Sequence, residues 1–376
     1  MKEKPVIGVV GLGAMGLGIA HVYAQAGFSV VATDAQTAAR DTACARLVES
    51  LNSRVSAGKL PPETRDATVE KLTVIDELAA MGSASLVIEA VIEKLEAKQA
   101  VFATLESIVS HTAVFATNTS SLSVAAIAQG LAYPSRLLGL HFFNPAPVMK
   151  LVELVAHTGS DAPSLALARA VTEAAGKTVI ACPDRPGFIV NRCARPFYGE
   201  ALAMLEEGRS AAEIDAAMLA AGYRIGPFSL VDLIGADINL AATQELAAAM
   251  GGHPRYFVFN ALKAQVERGD LGRKSGRGFI FPSSPGNVPA DWESIALRIE
   301  SMLANEAASL LAEGGTDEVG IDMALRLGLN FPRGPFESAR VHGLARVRAT
   351  LAGLEAAAPT HLRGRYAISP ALAAMQ

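Results

Sequence analysis

Thiols and aromatic side chains are scarce in this sequence. Cys44, Cys182 and Cys193 are the only cysteines, Trp292 is the single tryptophan, and aromatic residues make up 6% of 376. An odd number of cysteines without a Cys-x-x-Cys pair argues against a disulfide framework and a structural zinc site. No apolar run reaches spanning length. The N-terminal Met1-Lys-Glu-Lys-Pro leads straight into a strand pattern, so neither a signal peptide nor a membrane span is expected. Charge of one sign is lacking too: 33 Lys and Arg face 37 Asp and Glu, for a net charge of −4 and a pI near 6.0. That balance predicts no nucleic-acid and no membrane partner, while leaving room for a local basic patch toward a phosphorylated ligand. A soluble protein of a reducing cytoplasm is the expected setting.

What is present is apolar bulk: 51% of residues are hydrophobic and 19% charged. The length suits two or three domains. Short apolar runs alternate with helical patterns through the first half. Strands are expected at 5–10, 29–33, 72–74, 85–89, 113–116, 136–140 and 150–155, and helices at 14–27, 36–57, 93–108 and 123–129. Such alternation means an α/β domain built on a parallel sheet. After Pro183 the alternation gives way to helical patterning. The expected organisation is an α/β Rossmann-type domain over 1–183, an all-α domain over 184–281, a turn-rich linker over 282–291 and a second helical module over 292–376. The two helical stretches resemble each other. Glu200-Ala201, Gly208, Ile214-Asp215 and Gly226-Pro227-Phe228 recur as Glu306-Ala307, Gly314, Ile321-Asp322 and Gly334-Pro335-Phe336, which reads as a duplicated module.

Gly11-Leu-Gly13-Ala-Met-Gly16 matches Gly-x-Gly-x-x-Gly between a buried strand and a helix, the context that a dinucleotide-binding turn requires. Gly11 permits the tight turn, Gly13 lets backbone approach a pyrophosphate, and Gly16 lets helix and strand pack closely. The helix N-terminus offers N–H groups to phosphate. Asp34 ends the second strand, where a carboxylate accepts from the ribose 2′-hydroxyl and repels a 2′-phosphate. No Arg stands at 35 or 36, so NAD is expected over NADP.

His141-Phe-Phe-Asn144-Pro145 follows the strand at 136–140. Glu153 lies twelve residues on, in a run that reads as a returning strand. A hairpin of this kind brings Glu153 beside His141, and a His–carboxylate pair at the end of a nucleotide-binding sheet suits general acid–base work. His21, His111, His157, His253, His342 and His361 read as structural. Ser120, just past a strand end, is either a hydrogen-bond donor for substrate or the cap of the helix at 123–129.

These motifs make the chain similar to the L-3-hydroxyacyl-CoA dehydrogenases over residues 5–281. The matching stretches are Gly11–Ala20, Glu-Ala-Val-Ile-Glu (89–93), Asn-Thr-Ser-Ser (118–121), residues 141–153, Pro-Gly-Phe-Ile-Val-Asn-Arg (186–192), Gly-Pro-Phe (226–228) and Gly-Arg-Lys-Ser-Gly-Arg-Gly-Phe (272–279). The resemblance implies His141 as catalytic base with Glu153 orienting it. It implies Ser120 and Asn191 as the groups that position the substrate. Gly11, Gly13, Met15, Gly16, Asp34, Glu93, Lys98, Asn144 and Lys274 then contact NAD, and Ser50 and Lys59 meet coenzyme A. The partner implied is an acyl-CoA thioester, with 3-hydroxybutyryl-CoA and 3-hydroxyadipyl-CoA as candidates, in fatty-acid metabolism and β-oxidation. Arg185 and the Gly222-Tyr-Arg-Ile-Gly226 loop depart from the usual family residues. The implied assembly is a monomer with an internal pseudo-dimer, or a homodimer. Two other functions compete: a dehydrogenase of a free β-hydroxyacid, and a catalytically silent NAD-binding scaffold. The former is expected to carry a catalytic lysine after a glycine-rich segment, which is not found near 160–180.

Overall fold

The computed structural model describes residues 4–376 and divides into two compact units, ending at Arg185 and beginning at Pro186. In the first, the chain runs β1 (Ile7–Val10), α1 (Ala14–Gln25), β2 (Val30–Thr33), α2 (Thr37–Ser56), α3 (Pro62–Glu70), β3 (Leu72–Val74), β4 (Leu86–Glu89), α4 (Leu95–Glu106), β5 (Val114–Thr117), α5 (Val124–Ala128), β6 (Leu137–Phe142), β7 (Leu151–Ala156), α6 (Ala162–Ala174) and β8 (Thr178–Pro183). Among the described residues these strands form one sheet, in the order β3-β2-β1-β4-β5-β6-β7-β8. β1, β4, β5 and β6 are buried along their whole length, as strands covered on both faces must be. The order reverses direction at β1, and the glycine turn lies at the end of that strand. Ligands of open α/β sheets bind at such a switch point.

The expected α/β unit is present, with differences in detail. The sheet is parallel except at β6 and β7, which pair antiparallel. Sequence reading places His141 after its strand. The pairing with β7 extends β6 through Phe142, so His141 lies inside it. Helices α3 and α6 and strand β8 go unread in the sequence: α3 buries only Thr68, leaving little apolar periodicity to read. Of the two readings of Ser120, substrate donor or helix cap, the cap goes to Ser123, whose hydroxyl accepts from the Ala126 amide.

The second unit is helical: α7 (Val190–Cys193), α8 (Arg195–Glu206), α9 (Ala211–Ala220), α10 (Pro227–Ile234), α11 (Ala236–Ala249), α12 (Asn260–Glu267), α13 (Trp292–Ala312), α14 (Glu318–Leu329), α15 (Pro335–His342), α16 (Leu344–Ala357) and α17 (Pro370–Ala374). Residues 282–291 hold no helix or strand. The recurring Ile-Asp and Gly-Pro-Phe have one physical cause. The Asp215 carboxylate accepts from the amides of Phe228 and Ser229 at the start of α10, and Asp322 accepts from Phe336 and Glu337 at the start of α15. A β-carbon on Gly226 would lie 2.3 Å from the Asp215 carboxyl carbon, and one on Gly334 would lie 2.2 Å from that of Asp322. Only glycine lets the carboxylate reach its helix end. The proline that follows takes the first helical position, where its missing N–H costs nothing. Among the described residues no helix is long and apolar enough to cross a membrane.

Candidate active site

The turn after β1 is shaped by its glycines. Gly11 has φ +100°, and a β-carbon there would meet the Ala90 carbonyl oxygen at 2.5 Å. One on Gly16 would lie 1.8 Å from the Gly11 oxygen, so helix and turn could not approach. Gly13 has open space on that side and caps α1 without a side-chain hydrogen bond. Backbone donors at a helix start that lack a side-chain cap form an anion cradle. Asp34 closes the cradle's flank: Oδ2 accepts from the Leu12 amide at 2.7 Å and Oδ1 from the Gln36 amide at 2.8 Å. One carboxylate thereby braces the turn and marks the end of β2. Met15 is half-buried in the first turn of α1. A dinucleotide fits this donor set and this open lane. Gly13, Gly16 and the start of α1 would hold its pyrophosphate and Asp34 its ribose.

His141 and Glu153 are direct partners across the β6–β7 ladder. Their side chains meet, with His141 Nδ1 2.6 Å from Glu153 Oε2, and Glu153 is fully buried. With Nδ1–H donated to the carboxylate, the basic lone pair of the ring is on Nε2. The ring also packs on Phe143, with centroids 4.6 Å apart. Phe142, next to His141, donates its amide to Asn118 Oδ1 at 2.9 Å, which ties β6 to the end of β5. The loop between β6 and β7 carries Asn144 at a cis bond to Pro145. Lys177 Nζ donates to its Ala146 and Met149 carbonyls at 2.6 and 2.8 Å.

Ser120 follows β5 in a turn wrapped round the Glu93 carboxylate. Glu93 Oε1 accepts from the Thr119 hydroxyl at 2.5 Å and the Ser120 amide at 2.9 Å. Burial works against the charge on Glu93. The Thr119 hydroxyl, Lys98 and the Ser120 amide outweigh it and hold the carboxyl below its usual range. Lys98 is buried and pairs with both Glu89 and Glu93. Sequence reasoning missed Glu89, Asn118 and Lys177. Glu89 and Asn118 stand in motifs already noted, whereas Lys177 has no local signal.

Ser50 and Lys59 are exposed, on α2 and in the turn beyond it. Asn191 and Lys274 belong to the second unit. Asn191 lies in α7, and its carbonyl accepts from Arg195. Lys274 pairs with Asp237 at 2.5 Å.

A doubly wound sheet with a glycine cradle and a buried His–carboxylate pair defines a nucleotide-dependent dehydrogenase. The family pattern described as "3-hydroxyacyl-CoA dehydrogenase, NAD binding domain" matches residues 6–185, and "3-hydroxyacyl-CoA dehydrogenase, C-terminal domain" matches 187–281 and 295–375. The chain belongs to the 3-hydroxyacyl-CoA dehydrogenase family, and with that family come the enzyme class and NAD as cofactor. The chain is 43% identical over 280 residues to 3-hydroxyadipyl-CoA dehydrogenase of Escherichia coli (strain K12), a match covering 74% of this chain and 59% of that protein. It is 37% identical over 285 residues to 3-hydroxybutyryl-CoA dehydrogenase of Bradyrhizobium diazoefficiens, covering 75% of this chain and 97% of that one. The crystal structure of 3-hydroxybutyryl-CoA dehydrogenase from E. coli K12 superposes with a TM-score of 0.90 at 31% identity, covering 98% of this chain and 97% of that chain.

Proposed function

We propose that the chain catalyses the reversible oxidation of an L-3-hydroxyacyl-CoA to the 3-oxoacyl-CoA, with His141 as the base. The observation that carries this reading is the His141–Glu153 pair, 2.6 Å apart in a buried antiparallel register. Nε2 of His141 takes the proton of the 3-hydroxyl, and Glu153 holds the ring in place and offsets the positive charge the ring acquires. NAD, held by the glycine turn and Asp34, would supply the hydride acceptor for C3. Ser120 and Asn191 orient the substrate's oxygen atoms, and Ser50 and Lys59 meet its coenzyme A portion. Asn144 and Lys274 complete the NAD contacts begun by Gly11, Gly13, Met15, Gly16 and Asp34, with Glu93 and Lys98 beside them.

The acyl group is short, 3-hydroxybutyryl or 3-hydroxyadipyl, as the names of the similar enzymes suggest. We assign the protein to β-oxidation chemistry in the cytoplasm, a setting that suits its three free cysteines. The domains are 1–183, 184–281 and 292–376 with a linker at 282–291. The last module serves as an internal partner, so the working form is a monomer with a pseudo-dimeric helical unit. The test is turnover of acetoacetyl-CoA with NADH. A free 3-oxo acid turned over in its place would overturn the assignment, as would NADH binding without turnover.

A further inference from the structure

Lys98 is the one cofactor contact implied by the family whose charged group is enclosed. Its side chain is 1% exposed and that of Glu89 is 0% exposed. The ammonium lies 2.7 Å from Glu89 Oε1 and 3.1 Å from Glu93 Oε2. Burying a charge is expensive unless it is paired and hydrogen-bonded. Glu89 meets that condition fully: Oε1 also accepts from the Val91 amide at 2.7 Å, and Oε2 accepts from the Thr117 hydroxyl at 2.7 Å. Glu89 is therefore a fixed anchor between the ends of β4 and β5. Lys98, on the first turn of α4, joins that anchor to Glu93.

Glu93 then spends its other oxygen on the turn that carries Ser120. Oε1 accepts from the Thr119 hydroxyl and from the amides of Ser120 and Ser121, the last at 3.3 Å. The two carboxylates and one ammonium leave a single negative charge, and it faces those donors. Each link has one geometry, so a shift at Lys98 passes to the backbone of residues 119–121.

We propose that Glu89 and Lys98 are positioning residues for Ser120, acting through the Glu93 carboxylate. The proposal rests on the reading of Ser120 as a substrate-positioning group. It adds a second role to the cofactor contact read for Lys98: a Lys98 that only binds NAD governs affinity for NADH, whereas one that also aligns Ser120 governs turnover. Misplacing a positioned group by about 1 Å is enough to lower a rate by about 10².

The experiment compares Lys98→Met, the double variant Glu89→Gln/Lys98→Met and Ser120→Ala in the full-length protein. Its readouts are NADH affinity by fluorescence, kcat and KM for acetoacetyl-CoA, melting temperature, and amide exchange across residues 119–122. Lys98→Met is expected to lower kcat about 10- to 100-fold, at saturating NADH and beyond any loss of NADH affinity, and to speed exchange in the 119–122 turn. The double variant removes both buried charges. It is expected to regain melting temperature without regaining kcat, and it stands in for the single variant if that one does not fold. A loss of NADH affinity of about tenfold or more at unchanged kcat would make Lys98 a cofactor ligand alone and overturn the proposal. Recovery of kcat in the double variant would show that Lys98 only neutralises Glu89. Ser120→Ala separates the two levels of the argument. If it leaves kcat unchanged, the role read for Ser120 fails. If it lowers kcat while Lys98→Met does not, the positioning chain alone fails.

Discussion

Arg192 and Arg298 occupy equivalent places in the two helical repeats, and each grips the other repeat's glutamates with matching atoms. Arg192 Nε donates to Glu306 at 2.6 Å, and its terminal nitrogens donate to the two oxygens of Glu313 at 3.0 and 2.7 Å. Arg298 Nε donates to Glu200 at 3.1 Å, and its terminal nitrogens donate to Glu207 at 2.6 and 2.8 Å. Glu200 corresponds to Glu306 and Glu207 to Glu313 by the same sequence interval. A contact in which each partner repeats the other's bonds is the signature of two-fold pairing. Here it is made within one chain.

Truncation after Pro282 removes α13, which carries Glu306, Glu313 and a buried apolar face that includes Ile295, Ile299, Met302 and Leu303. The remaining repeat keeps Arg192, Glu200 and Glu207, the full set for pairing with another copy of itself. The truncated protein is expected to dimerise or aggregate through the exposed surface and to melt at a lower temperature. Light scattering and a thermal scan check this. A truncated chain that stays monomeric and as heat-stable as the whole would show the second repeat to be an independent appendage.

His141→Gln keeps a polar side chain of similar reach in β6 but removes the base. Turnover is expected to fall about 10²- to 10⁴-fold with NADH binding retained. Near-wild-type turnover would remove His141 from its role. Glu153→Ala is expected to lower kcat more than it raises KM for acyl-CoA, because the ring loses its orienting bond and not a substrate contact.

The parts of the site that were legible in the sequence are those whose partners lie close along the chain. Gly11 to Gly16 carry a local backbone requirement, and twelve residues with a turn between two apolar runs suffice to pair His141 with Glu153. The register itself came from the sheet, which also drew His141 inside β6. Glu89 and Lys98 are nine residues apart, but nothing in that spacing marks the pair as buried. Their enclosure depends on Thr117 from a neighbouring strand. Sequence reading weighs Ser120 alone as a cap for the helix after β5; the cap is Ser123, fixed by where α5 starts. Lys177 had no signal at all, since the carbonyls it binds lie in a loop that precedes it by some thirty residues.

Asp34 is expected to set cofactor choice. Its replacement by Ser, combined with Ala35→Arg, removes a carboxylate from the 2′ position and adds a cation. The preference for NADH over NADPH should narrow, as the ratio of kcat/KM values would show. Asp34 also braces the Leu12 amide, so both cofactors should bind somewhat more weakly. Unchanged discrimination would exclude Asp34 from the ribose site.

Lys177 predicts a pH dependence of stability. Burial pushes its amine from 10.5 down to about 8. Between those values the unfolded chain holds a proton that the folded chain has released. Stability therefore rises as pH climbs through this window, and the full cost of the buried charge is felt below it. The neutral amine keeps two N–H groups, enough for the Ala146 and Met149 carbonyls, so the loop joining His141's strand to Glu153's survives the titration. Lys177→Met removes both the titration and the two bonds. Urea unfolding of the two proteins between about pH 7 and 10 is the check. The wild-type curve should gain on the variant's as the solution becomes more alkaline. Turnover should fall in the variant, because the hairpin loop then lacks its tie to Lys177. Parallel stability curves would mean that Lys177 keeps an ordinary amine in the folded protein, and unchanged turnover would mean that the hairpin holds His141 and Glu153 together without it.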